Sequence, residues 1–129
     1  MKEQIGTDLH RVKDDQEIRR VLHHFLTSDP PGTRRDQGQE LRQQLVTRLK
    51  DLEQALMHSH FFSRHEVIGS SLLLIHDRHK LGVWMIDFAK SVPLPPETRV
   101  DHMSDWRLGN HEDGYLFGLR NLIRLTEDL

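Results

Sequence analysis

The chain has 129 residues, of which 36% are hydrophobic and 29% charged, with a formal net charge of -2 and no cysteine. That length allows one domain with a modest core. The near-balanced charge gives no support for nucleic-acid binding or a polybasic membrane anchor, no disulfide or thiolate metal site can form, and no run approaches the roughly 20 apolar residues that span a bilayer.

Met1–Asp15 is polar and charged and carries no apolar core of a secretory signal, so a cytoplasmic setting is expected. Over Asp14–Leu26, apolar Ile18, Val21, Leu22, Phe25 and Leu26 fall on one helical face, with Asp14 and Asp15 suited to its N-terminal end. Thr27–Gly38 is rich in helix breakers, and Pro30-Pro31 excludes a continuous helix. A second helix is predicted over Gln39–His58, where Leu41, Leu45, Leu49, Leu52 and Leu56 make an amphipathic stripe. The stripe is too short for a coiled coil and is expected to pack within its own domain.

Glu66–His76 reads as β, then Asp77–Lys80 is polar, Gly82 can take a positive φ, and Val83–Phe88 reads as a second strand. The two runs predict an antiparallel hairpin. Their nearly continuous apolarity predicts cover on both faces, with the leucine-stripe helix on one. Ser91–Gly109 holds Pro93, Pro95 and Pro96 and is expected to be irregular. A last helix is predicted from Asn110 as N-cap, with Glu112 and Asp113 as acids of its first turn and Tyr115, Leu116, Leu119, Leu122, Ile123 and Leu125 turned inward. The order of elements is an α+β pattern of helices around a hairpin.

The residues with the clearest chemistry are at the end of the second strand, Val83-Trp84-Met85-Ile86-Asp87-Phe88-Ala89-Lys90. A strand-end carboxylate such as Asp87 suits a hard cation bound beside nucleotide phosphates. Lys90, three residues on, can neutralise a phosphate as a point charge. The ten histidines include the close pairs His23-His24, His58 with His60, and His76 with His79. None has the spacing of a zinc helix motif. The basic residues Lys13, Arg19, Arg20, Arg34 and Arg35 read as a solvated face.

Three motifs together resemble the inositol polyphosphate kinases, and among them the inositol-trisphosphate 3-kinase branch. They are Arg64-His65-Glu66-Val67-Ile68-Gly69-Ser70-Ser71-Leu72-Leu73, the Val83–Lys90 segment, and Gly109-Asn110-His111-Glu112-Asp113-Gly114-Tyr115-Leu116-Phe117-Gly118-Leu119. Pro93-Leu94-Pro95 recurs between the second and third, and a fainter likeness runs back to Gly6-Thr7-Asp8. The resemblance implies transfer of the ATP γ-phosphoryl group to inositol 1,4,5-trisphosphate, giving the 1,3,4,5-tetrakisphosphate. It implies Asp87 as Mg²⁺ ligand beside ATP, with Ser70 assisting the metal shell. It also implies Lys90 on the inositol phosphate and His10 at a position that contacts ATP.

By the same resemblance the fold is the C-terminal lobe of a two-lobed, SAICAR synthase-like kinase, with residues 1–129 forming the C-terminal part of the domain. The ATP-clamping lobe, its Pro-x-x-x-Asp-x-Lys-x-Gly motif and the branch's calmodulin-binding segment are expected to lie outside this sequence. A chain of this extent is therefore expected to be inactive alone and to expose an apolar lobe surface. Four matched positions depart from the family pattern. His10 and Ala89 replace a lysine and a glycine, and His111 and Arg120 stand where an arginine and an aspartate are usual. These departures keep open a non-catalytic module that binds an inositol phosphate or a protein partner. A purely helical interaction domain built on the Leu41–Leu56 stripe leaves the Asp-Phe-x-Lys and Glu-Asp-Gly-Tyr motifs unexplained.

Overall fold

The computed structural model describes residues 14–27, 36–77, 79–87 and 90–129, with the backbone alone for 36–38. The first helix, α1, spans Asp15–Thr27. Asp14 begins it: the Asp14 carboxylate accepts from Glu17 N–H at 2.9 Å, satisfying one free amide of the first turn. The helix buries Leu22 and Leu26, as the spacing predicts. The second helix, α2, spans Asp36–Met57 and begins three residues before the predicted start. Its stripe forms the centre of the molecule, where Leu41, Leu45, Leu49 and Leu56 are buried and Leu52 packs against them.

A single helical turn follows, α3 (His60–Ser63), capped by Ser59 Oγ accepting from Phe62 N–H at 3.1 Å. The run predicted as one strand from Glu66 is broken. Strand β1 is only His65–Glu66, and β2 is Ser71–His76. Between them Gly69 takes φ 75°, which turns the chain out of one ladder and into another. β1 pairs antiparallel with a two-residue strand β4, Val92–Pro93, which interrupts the otherwise irregular segment after Lys90. β2 pairs antiparallel with β3, Leu81–Ile86, forming the predicted hairpin.

Asp77 Oδ1 shapes the hairpin turn by accepting from the N–H groups of His79 and Lys80, both at 2.7 Å. Gln44 on α2 then clamps the turn. Its Nε2 donates to His79 O, and its Oε1 accepts from Leu81 N–H, each at 2.9 Å.

The hairpin has one packed face, not two. Leu72, Leu74, Leu81, Val83 and Met85 face the core. The opposite face carries Leu73, Ile75 and Trp84, which are 40%, 46% and 51% exposed. The apolar runs give no alternation because the solvent face is itself apolar. Gly82 lies within β3 without a positive φ. A Cβ there would fall 2.1 Å from the Trp84 ring, so the glycine serves to seat that ring.

The last helix, α4, spans Tyr115–Glu127 and buries Leu116, Leu119, Ile123 and Leu125 against α2 and α1. It starts later than predicted. Gly114, at φ 67°, is the residue before the first turn. Asn110 instead makes a local turn, with its Oδ1 accepting from Glu112 N–H at 3.0 Å. Glu112 and Asp113 precede the helix and point their carboxylates into the loop. The α+β character holds, and no helix among the described residues is long and apolar enough to cross a membrane.

Candidate functional site

Pairing register brings the sequence-predicted residues of the hairpin to one end. The last ladder pair is Ser71 with Ile86, so Ser70 and Asp87 lie one step beyond it on adjoining strands. Asp87 adopts φ 66°, a left-handed conformation that ends the strand and leaves its side chain exposed. Lys90 returns over Gly69: a Cβ on that glycine would stand 2.9 Å from Lys90 Cδ. Gly69 thus serves twice, supplying the positive φ and the space for the lysine stem. His10, Phe88 and Ala89 are outside the described residues, as are Lys13, Arg34 and Arg35 of the basic set. Arg19 pairs with Asp128 at 3.3 Å, which ties α1 to the chain after α4.

Beneath this end of the hairpin is a polar layer that the sequence reading did not assign. Ser70 Oγ and, near it, Tyr115 Oη are buried without a completed hydrogen bond. Burial pushes the Tyr115 phenol up to about 12, with the nearby Ser70 hydroxyl offsetting part of that effect. Tyr115 therefore keeps its proton and stays a donor.

Asp113 organises the layer. Its carboxylate accepts from Val67 N–H at 2.8 Å and from Tyr115 N–H at 2.9 Å. One side chain thereby joins the Val67–Ser70 approach to the first residue of α4. His102 locks that carboxylate from the other side. Its Nδ1 lies 2.8 Å from Asp113 Oδ1 and its Nε2 lies 2.8 Å from Phe62 O. A carbonyl oxygen can only accept, so Nε2 carries a proton; an ionised carboxylate also accepts, so Nδ1 carries one as well. Both ring nitrogens thus face acceptors, an arrangement that stabilises the imidazolium form, and the ring is stacked on Phe62 with centroids 3.7 Å apart.

Burial alone would lower the His102 pKa, but the Asp113 carboxylate, the Phe62 carbonyl and the Glu112 charge together raise it. Burial likewise works against the Asp113 carboxylate, and His102 and the two amides overcome it and lower the Asp113 pKa. Glu112 is raised by burial and by its neighbour Asp101, even as it accepts from Asp101 N–H at 2.9 Å. His111, at one departing position, places Nδ1 3.1 Å from Glu66 Oε2. Arg120, at another, pairs with Glu53 of α2 at 3.0 Å.

The oxygen-only donors Asp87 and Ser70 fit a hard cation, and Ser70 Oγ has no competing partner. No group of three or more His, Cys, Asp or Glu among the described residues is arranged to hold a metal. Mg²⁺ is commonly held by one or two carboxylates, with water and substrate phosphates completing its shell.

Gly69, His102, Asp113 and Tyr115 escaped the sequence reading as contributors here. His102 was one histidine among ten, and Asp113 had the ordinary look of a helix N-terminal acid. Only the Gly69-Ser70 dipeptide before an apolar run offered a local sign of a break.

Residues 2–127 match the family model described as inositol polyphosphate kinase. The chain is 50% identical over 98 residues to the inositol-trisphosphate 3-kinase homolog of Caenorhabditis elegans, covering 76% of this chain and 19% of that protein. It is 42% identical over 125 residues to inositol-trisphosphate 3-kinase A of Homo sapiens and of Rattus norvegicus, covering 96% of this chain and 25% of each. It therefore spans a quarter or less of the length of these relatives. A match over almost the whole sequence makes the chain a member of the inositol polyphosphate kinase family.

Proposed function

We propose that this chain forms the C-terminal part of a kinase domain that phosphorylates an inositol phosphate with ATP. The substrate on this reading is inositol 1,4,5-trisphosphate and the product the 1,3,4,5-tetrakisphosphate. The observation that carries it is the convergence of Ser70, Asp87 and Lys90 at one end of the β2–β3 hairpin, in a chain that matches this family.

In the reaction, the bond from the γ-phosphorus to the β,γ-bridging oxygen breaks. A bond from an inositol hydroxyl oxygen to that phosphorus forms, and the hydroxyl proton is released. Mg²⁺, when bound, neutralises charge on the transferring phosphates. Asp87 supplies its carboxylate to that cation, and Ser70 supplies a neutral oxygen. Lys90, held by its stem against Gly69, directs its ammonium to a phosphate of the inositol. Catalysis of this kind is positioning and charge neutralisation, so a two-lobed, SAICAR synthase-like cleft is needed to hold both reactants.

The test is a chimera in which this chain replaces the 125 matching residues of the human kinase A. Labelled phosphate should pass from ATP to inositol 1,4,5-trisphosphate, and Asp87→Asn should lower the rate by about a thousandfold or more, the scale of a lost charge-stabilising group. A folded chimera without transfer would instead support a non-catalytic binding module.

A further inference from the structure

Tyr115 has a place that no family motif explains by itself. Its backbone N–H is tied to Asp113 at 2.9 Å, and the same carboxylate holds Val67 N–H at 2.8 Å, three residues before Ser70. Its ring meets Phe62 edge-on with centroids 5.9 Å apart, and Phe62 is itself pinned under His102. Ring and backbone are thus both fixed, with the hydroxyl close enough to that of Ser70 for the two to interact. Both oxygens are buried, and neither completes a hydrogen bond. Two orphaned hydroxyls side by side are costly unless some state of the molecule uses them.

We propose that Tyr115 is a positioning residue for Ser70: its hydroxyl donates a hydrogen bond to Ser70 Oγ and turns a free lone pair of that oxygen toward the cation bound by Asp87. The inference rests on the reading of Asp87 and Ser70 as Mg²⁺ ligands. A hydroxyl is a weak neutral ligand and rotates freely. A fixed donor on one side selects the rotamer that faces the metal, as outer partners of metal ligands generally do. Asp113 then acts one step further out, holding the strand approach and the helix start in register. Leu72, Gly118, Leu119 and Leu122 line the apolar side of the Tyr115 ring.

The chain contains one tyrosine, so tyrosine labelled with ¹³C at Cζ gives a single resonance. Mn²⁺ affinity is read from the electron paramagnetic resonance of the free ion, for the parent chain and for Asp87→Asn, Ser70→Ala and Tyr115→Phe. The Cζ resonance is followed during a Mg²⁺ titration. Tyr115→Phe should weaken Mn²⁺ binding about tenfold, the usual effect of losing an outer partner of a ligand, with the thermal midpoint retained. Mg²⁺ should move the tyrosine resonance in the parent and leave it still in Ser70→Ala.

If Asp87→Asn weakens binding while Tyr115→Phe binds like the parent, or the parent resonance does not move, the positioning role is overturned and the metal reading stands. If Asp87→Asn binds like the parent, the metal reading fails and this role fails with it.

Discussion

Asp87 combines an exposed carboxylate with φ 66°, a conformation that costs a non-glycine residue about 1–2 kcal/mol. Asparagine tolerates the same conformation, so Asp87→Asn should change stability by less than about 0.5 kcal/mol in urea unfolding, and any loss of cation binding is then local. Gly69 is less forgiving. At φ 75°, with a Cβ 2.9 Å from Lys90 Cδ, Gly69→Ala should cost about 1–2 kcal/mol in urea unfolding and displace the lysine.

His102 and its partners set a pH dependence. His102 stands above its ordinary 6.5, so the stability it contributes is full below that pH and lost as pH rises through its folded value. Asp113 stands below its ordinary 3.8, so its contribution holds above that pH and is lost as pH falls through its folded value. Glu112 stands above its ordinary 4.5 and adds to the decline on the alkaline side. The His102 and Asp113 contributions are therefore both full between about pH 4 and about pH 6.5, while the Glu112 share is full only below about pH 4.5. Thermal midpoints should fall from about pH 5.5 to about pH 8.5, and should fall less in His102→Gln.

At the scale of elements, α2 is the beam on which the rest is hung. Leu45 and Leu49 are fully buried where α2 meets α4 and β3. Leu45→Ala should cost about 2–5 kcal/mol, read as a shifted urea midpoint with an unchanged slope. The stripe, the hairpin and the inward face of α4 were legible because each has the period of its own element. The start of α4 was not. Asn110, Glu112 and Asp113 have the composition of a helix N-terminus. Glu112 and Asp113 instead serve amides of Asp101, His102 and Val67, and those groups arrive from 10 to 46 residues away. The single strand predicted from Glu66 failed for a similar reason. Continuous apolarity hid the break at Gly69, and β1 found its partner only at Val92–Pro93.

Across the whole molecule, α1, α2 and α4 cover one face of the hairpin and leave the other open. Leu73, Ile75 and Trp84 on that face form an apolar surface in this chain. Such surfaces drive association. Replacing Leu73 and Ile75 by threonine should reduce self-association in sedimentation velocity and leave the helical circular dichroism unchanged. Retained association would place the contact elsewhere on the surface.

The sequence by itself determined the α+β order, the leucine core, the hairpin and the three motifs that mark the family, because these are encoded in local period and residue identity. Tertiary structure alone decided how the candidate residues are brought together. Strand register put Ser70 beside Asp87, the missing side chain of Gly69 admitted Lys90, and one buried carboxylate, Asp113, joined three distant segments. Those contacts depend on groups far apart in the chain, and no local pattern records them.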